Sequence, residues 1–222
     1  MRHLIDTYIE ADEPRKISPF DGMGLLELIV KTGIANAITS QLGGLKGNQS
    51  AIAETIENNV RRKIIKEHLS DPAYYEKMSA LLDEIITARK AKAIEYEEYL
   101  KRIAALAQRV EAGLAEDTPQ QLKNSPALRA LYNNLKKAAR VPTDAPAQAE
   151  HVAEGPVEYA GPGDPALALA LKIDAAVKQV RPDGWRGVQA REQVIKAAVY
   201  EILQDVAEVE RIFLIIKAQG EY

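Results

Sequence analysis

The sequence predicts an all-α, multi-helix protein, and three observations lead to that fold class. Apolar residues recur at intervals of three and four through most of the 222 residues, which is the spacing of one helix face. Aspartate or serine directly before proline, which is typical of a helix start, occurs at residues 71–72, 125–126 and 164–165. β-Branched residues fall within the helical spacing instead of alternating with polar ones, so no strand is predicted.

Three helices are predicted before residue 70. A short apolar stripe over residues 4–9 forms the first. Asp21 can cap the second, whose last apolar residue is Leu42, because the adjacent glycines of loop 43–47 disfavour a helix. Asn48 can cap the third. The apolar residues of this third helix are Ile52, Ile56, Val60, Ile64 and Ile65.

One very long helix is expected over about residues 72–112. Asp71 and Pro72 begin it, and neither glycine nor proline follows until Gly113. A helix of about 40 residues is ~60 Å long. Its second half carries apolar residues at heptad spacing, which predicts a seam against another helix of the same or another chain. The two registers are Ile86, Ala93, Leu100 and Ala107, and Tyr96, Ile103 and Val110.

Residues 141–165 differ in composition from the rest. They hold five of the eleven prolines and five acidic residues, without lysine or arginine. This composition predicts an acidic flexible insertion or a surface loop. The predicted organisation is therefore an N-terminal helical part (1–140), the acidic proline-rich linker (141–165) and a C-terminal helical hairpin (166–222) packed on the first part. In that hairpin, a turn-rich loop over 181–187 separates a helix ending near Val180 from a helix over 188–219.

Composition excludes several kinds of site. Without cysteine, the chain has no disulfide, no cysteine-containing zinc site and no thiolate nucleophile. His3, His68 and His151 are far apart in sequence. A net charge of −3 with 27% charged residues is typical of an ordinary soluble protein. No apolar run is long enough for a membrane span, and the first residues lack a signal peptide's apolar stretch, so we expect a cytoplasmic protein with no membrane partner.

Catalytic motifs are also missing. Lys46 precedes Gly47, which is the wrong order for a P-loop. Residues 182–183 read Pro-Asp, but no acidic residue is followed two positions later by lysine, as a nuclease of that type requires. Residues 161–166 match a relaxed dinucleotide fingerprint, yet no predicted strand precedes them. We therefore predict no catalytic, cofactor-binding or metal-binding residue in this chain.

Two basic clusters are candidates for contact with DNA or a protein partner. The first is Arg61, Arg62 and Lys63; the surrounding helices have mixed charge, which favours a solvated face over a surface that follows phosphates. The second is Trp185 with Arg181 and Arg186. That indole could stack on a base or anchor a partner, or it could fill the turn between two helices with an arginine over its face.

Several segments resemble the C-terminal helical region of the restriction (R) subunit of type I restriction-modification enzymes. The similarity covers most of the chain except residues 141–165. The segments are HLIDTYIEA from His3, ISPFDGMGLLELIV from Ile17, ETIENNVRRKII from Glu54, DPAYYEKMSALLDEII from Asp71, EYEEYL from Glu95, DGWRG from Asp183 and ERIF from Glu210.

The resemblance implies a non-catalytic domain of a larger enzyme. In that family the whole subunit is a type I site-specific deoxyribonuclease and ATP-dependent translocase that uses ATP and Mg²⁺. Its partners would be the motor and nuclease domains of the R subunit and the methyltransferase and specificity subunits, with the helical region docking the motor on that core. The alternatives are a stand-alone helical adaptor that self-associates through the long helix, and a DNA-contacting module.

Overall fold

The computed structural model describes residues 24–45, 48–114, 118–138 and 164–222, and all regular structure in these ranges is helical. The predicted all-α class is confirmed. None of the helices described has both the length and the apolar content to cross a membrane. The predicted helix over 4–9, the Asp21 cap and almost all of the acidic linker lie outside the described residues.

The α-helices are α1 (Leu25–Thr32), α2 (Ile34–Gln41), α3 (Gln49–Glu67), α4 (Pro72–Lys90), α5 (Tyr96–Ala112), α6 (Pro126–Ala138), α7 (Pro165–Val180), α8 (Gln189–Leu203) and α9 (Val206–Ala218).

Four of the predicted helix starts are confirmed by side-chain caps. Asn48 accepts a hydrogen bond from the Ala51 amide at 3.0 Å, and Asp71 accepts one from the Tyr74 amide at 3.2 Å. Ser125 and Asp164 cap α6 and α7 in the same way. Each cap satisfies an amide that has no partner within the first turn of its helix.

The prediction of one long helix over 72–112 is wrong. α4 ends at Lys90, Lys92 has a left-handed φ of +54°, and α5 begins at Tyr96. The Tyr74 hydroxyl, near the start of α4, donates to the Arg109 carbonyl near the end of α5 at 2.7 Å, so the two helices are antiparallel. Tertiary packing ends the helix here, because folding back buries apolar faces that a 40-residue rod would expose. The heptad seam therefore forms within the chain, with Ala93 exposed in the turn.

Two other predicted helices are also divided. Gly33, with a φ of +85°, separates α1 from α2. Gln204, with a φ of +55°, separates α8 from α9, and Asp205 caps α9 by accepting from the Ala207 amide at 2.8 Å. The predicted C-terminal hairpin is thus three helices, because a left-handed residue cannot continue a right-handed helix.

The helices form two hydrophobic cores. The first core lies among α1–α5, and fully buried Tyr99 donates to the Ala53 carbonyl at its centre. The second core lies among α6–α9. Leu131 and Tyr132 of α6 are buried in this second core, so α6 packs with the C-terminal helices and the cores divide between Gly113 and Pro119. The predicted boundary after residue 140 differs from this packing, because a linker's composition marks where the chain is polar and not which helices share a core.

Candidate interaction surface

The three basic residues predicted on α3 do not share one face. Arg61 pairs with Asp83 of α4 at 2.8 Å. Lys63 lies on another side, 3.5 Å from Glu67 and 3.6 Å from Glu111. Consecutive helical residues diverge by about 100°, so only Arg62 extends away from both α4 and α5. Two of the three positive charges are therefore offset by carboxylates of the same chain.

Arg62 shares its exposed side of α3 with two large apolar residues. Ile65 is 68% exposed and Leu69, in the turn after α3, is 74% exposed, the highest values for large apolar side chains in the described part of the chain. Lys66 is exposed between them. We call Arg62, Ile65, Lys66 and Leu69 the α3 face. Paired exposed apolar side chains beside charges are typical of a surface that binds another molecule.

Ile65 is one of the apolar residues that the helical spacing of the third helix includes, but it does not lie on the buried face of that helix. Ile64 is buried, whereas Ile65 points to solvent. The signal was present in the spacing, because Ile52, Ile56, Val60 and Ile64 already complete the buried stripe and Ile65 lies about 100° from it. An isoleucine beyond a complete stripe indicates a surface role.

The second predicted cluster, around Trp185, faces inward. Trp185 is 2% exposed and its ring lies 5.8 Å from that of Phe213, between centroids. The Arg186 guanidinium lies over the indole at 4.7 Å and donates to the main-chain oxygens of Lys217, Gln219 and Tyr222. The ring therefore fills the turn, as in one of the two interpretations, and a base could stack on it only if this loop opened. Its Nε1 has no hydrogen-bond partner within the described residues.

Residues 219–222 connect this loop to α6 and α7. Arg181 donates to the Glu221 carbonyl at 3.0 Å. The Glu221 carboxylate accepts from the Ser125 hydroxyl at 2.6 Å and from the Ala127 amide at 3.2 Å, at the start of α6. The buried Tyr222 hydroxyl donates to Asp174 of α7 at 2.7 Å, and burial raises the pKa of Tyr222. The guanidinium groups of Arg181 and Arg186 thus donate to main-chain oxygens of the same chain and not to a partner molecule.

A polar junction joins the two cores. Asp71, at the start of α4, accepts hydrogen bonds from the side-chain amides of Asn133 and Asn134 of α6 at 2.7 and 2.8 Å. Gln219 donates to the Ser70 carbonyl at 2.6 Å. An open cleft of about 320 Å³ lies beside this junction, with Lys63 and Arg129 among its lining residues. The Asp71 carboxyl is thus the common acceptor for the Tyr74 amide of α4 and for the two asparagine side chains of α6.

Burial raises the pKa of Asp71 to about 6, against the opposing effects of the hydrogen bonds from Asn133, Tyr74 and Asn134 and of the nearby Arg129 charge. The folded-state pKa is higher than the ordinary aspartate value of 3.8, so the folded protein binds more protons than the unfolded chain between these two pH values. The stability contributed by this carboxyl is complete below pH ~4 and is lost as the pH rises through ~6.

We expect this titration to appear as a difference between the wild type and Asp71→Asn, which cannot titrate. On going from pH 7 to pH 5, the free energy of unfolding of the wild type should rise by about 1–2 kcal/mol relative to the variant. Urea unfolding at the two pH values measures this difference. A gap between the two proteins that does not change with pH would contradict the assignment of the titration to Asp71.

No group of three or more histidine, aspartate or glutamate side chains in the described ranges is placed to hold a metal ion. Comparison of the chain with protein-family models, with curated proteins and with solved structures found no match. The resemblance to type I R subunits therefore stays a prediction.

Proposed function

We propose that this chain is a non-catalytic helical assembly domain of a type I restriction endonuclease R subunit, which docks the motor on the methyltransferase–specificity core. The sequence segments quoted above support the family. The α3 face is the observation that supports docking, because it places two solvent-exposed apolar side chains beside two exposed cations. Full burial of each of these side chains in a complex contributes about 1.5–3 kcal/mol.

The charge distribution favours a protein partner over DNA. Affinity for DNA depends on several cations that neutralise phosphates. On α3, Arg61 and Lys63 already pair with carboxylates, and the chain carries a net charge of −3. Arginine beside exposed aliphatic residues is typical of a protein interface.

The experiment measures binding of this chain to the purified methyltransferase–specificity complex by calorimetry. Replacing both Ile65 and Leu69 by aspartate should weaken binding by about 100-fold, because two carboxylates would be desolvated in place of two apolar side chains. The matched control replaces Val206 and Leu214 of α9, both 65% exposed, by aspartate and should bind like the wild type.

Equal affinity of the two double variants would contradict docking through the α3 face. ATP turnover or Mg²⁺-dependent DNA cleavage by the purified chain would contradict a non-catalytic role. Both activities are measured on the wild type alone, so they do not depend on the binding result.

A DNA-contacting module is the second candidate, because Arg62 and Lys66 are exposed cations one turn apart. Under that alternative, fluorescence anisotropy would show DNA binding that weakens steeply with salt and falls in Arg62→Glu. Under the proposed function, no binding is expected even at low salt.

A further inference from the structure

We infer that the cleft beside the polar junction is a binding site for a guanidinium group. The cleft is a different surface from the α3 face, so the inference does not depend on the proposed function. Two independent observations support it. Carboxylates outnumber cations among the described lining residues, and one buried hydroxyl that lines the cleft has no hydrogen-bond partner.

The three carboxylates of the cleft come from the ends of three helices. Glu67 ends α3, Asp71 caps α4 and Glu111 lies in the last turn of α5. Two cations also line the cleft, but Nη1 of Arg129 donates to main-chain carbonyls of the chain that precedes α6. Lys63 is thus the one cation of the described lining that lies among the carboxylates, and this excess of negative charge favours a positively charged ligand.

Lys63 leaves room for further donors to its two carboxylate partners. Its Nζ lies 3.5 Å from a Glu67 oxygen and 3.6 Å from a Glu111 oxygen, whereas charge-assisted hydrogen bonds of this kind are about 2.7–2.9 Å long. Because both oxygens lie close to one nitrogen, the two carboxylates face the same space. A guanidinium has N–H donors on several sides of one plane and can donate to two carboxylates at once, which an ammonium does less well.

Tyr75 is the buried residue without a partner. It is only 6% exposed, and its hydroxyl lies at the cleft, 3.6 Å from the position that a Cβ on Gly113 would occupy. The neighbouring Tyr74 hydroxyl donates to two carbonyls, but the Tyr75 hydroxyl makes no hydrogen bond within the described residues.

The surroundings of Tyr75 suit a cationic donor. Burial raises the pKa of its hydroxyl, and so do the negative charges of the cleft carboxylates. The phenol therefore stays neutral and offers its oxygen as an acceptor in a region of negative potential. Buried polar groups in proteins normally have a partner, and an N–H of a bound guanidinium supplies one here.

The dimensions of the cleft fit a small group. Its volume of about 320 Å³ is at the lower end of the range for small-ligand sites. Because the cleft is open, the guanidinium can belong to a free molecule or to an arginine side chain of a protein partner. The chemistry recognised is the same in both cases, and the experiment below distinguishes them.

The test is an NMR titration of the whole chain with N-acetylarginine methylamide, whose guanidinium is its single charged group. The amide signals of Gly113 and Gly220, which line the cleft, provide the readout, and Gly33 lies outside the cleft as a reference. We expect saturable shifts of the first two signals. N-acetylcitrulline methylamide, the uncharged isostere, should bind at least tenfold more weakly.

Unblocked arginine separates the two sources. An affinity equal to that of the blocked probe shows that the cleft reads the side chain alone, as for an arginine of a protein partner. At least tenfold tighter binding of the unblocked amino acid shows that its main-chain charges are read too, as for a free molecule. Both results support recognition of the guanidinium.

Substitutions in the cleft test the sign of the ligand's charge. Lys63→Gln removes a competing cation and should tighten binding of the blocked arginine probe by about threefold or more. Glu111→Gln and Tyr75→Phe each remove an acceptor and should weaken it by about fivefold or more. Glu54→Gln is the matched control, because Glu54 is an exposed glutamate of α3 that lies ~20 Å along the helix from Glu67.

The dispersion of the amide spectrum checks that each variant is folded. Weaker binding by Lys63→Gln would overturn the inference, because it would indicate a site for an anion. Equal affinity for the arginine and citrulline probes, or the absence of saturable shifts at Gly113 and Gly220, would overturn it as well. None of these measurements uses the methyltransferase–specificity complex, so failure of docking through the α3 face and failure of guanidinium binding are observed separately.

Discussion

Truncating Trp185 to alanine is expected to lower the free energy of unfolding by about 3–5 kcal/mol, a range typical of a buried tryptophan. The ring is almost fully buried against Phe213 in the second core. The Arg186 guanidinium lies over the ring, and this side chain donates to three main-chain oxygens of residues 217–222. Losing the ring therefore removes apolar contacts and the surface that orients this arginine.

Urea unfolding followed by circular dichroism measures the loss, with Trp185→Phe as the matched control. Phenylalanine keeps a ring on Phe213 and removes the buried Nε1 that lacks a partner, so we expect it to cost only about 1 kcal/mol. In the wild type, the fluorescence of this single tryptophan reports on the second core. Similar stabilities of the alanine and phenylalanine variants would contradict the packing role of the ring.

The second large effect is expected at Asp71, where alanine should lower the free energy of unfolding by about 2–4 kcal/mol at pH 7. The substitution removes the cap of α4, takes away the Asp71 acceptor of the Asn133 amide, and leaves the Asn134 amide with the Ala130 carbonyl alone. Loss of a cap costs about 1 kcal/mol and an unpaired buried amide about 1–3 kcal/mol. Removing the buried Asp71 carboxylate charge stabilises the folded state, which offsets part of this loss of unfolding free energy.

Asp205→Ala provides the matched control, because Asp205 also caps a helix but is exposed and accepts only from amides of its own helix. We expect it to cost about 1 kcal/mol in the same urea titration. If the two variants were destabilised equally, the hydrogen bonds between α4 and α6 would contribute nothing measurable to stability.

The elements that the sequence predicts well are those encoded by local chemistry. Asn48, Asp71 and Asp164 accept hydrogen bonds from amides of the first helical turn, and such a cap depends on a few neighbouring residues. The buried stripe of α3 follows from helical periodicity alone. These features need no knowledge of the rest of the fold.

The breaks within predicted helices depend on distant residues. Lys92 and Gln204 adopt left-handed conformations that neither side chain favours, and only the packing of α5 on α4 and of α9 on α8 compensates for them. The place of α6 in the second core depends in the same way on α7 and α9. Tertiary contacts of this kind leave no periodic signal in the sequence.

The candidate site was predicted only in part. The basic triplet lies on the helix that carries the α3 face. Because consecutive residues of a helix diverge by about 100°, Arg61, Arg62 and Lys63 point in three different directions. Ile65 and Leu69 were missed because an isoleucine near the buried stripe and a leucine in a turn are unremarkable until their exposure is known. Trp185 was assigned two interpretations, and only the fold places its ring inside.

The division into two cores has a consequence for biosynthesis. Within the described ranges, the residues of the first core lie between Leu25 and Val110, so these packing partners have been synthesised before α6 is translated. The second core requires residues as far apart as Leu122 and Tyr222. Ribosomal synthesis from the N-terminus therefore allows the first core to form on the nascent chain. Asp71 is then already positioned at the start of α4 when the Asn133 and Asn134 amides of α6 donate to it.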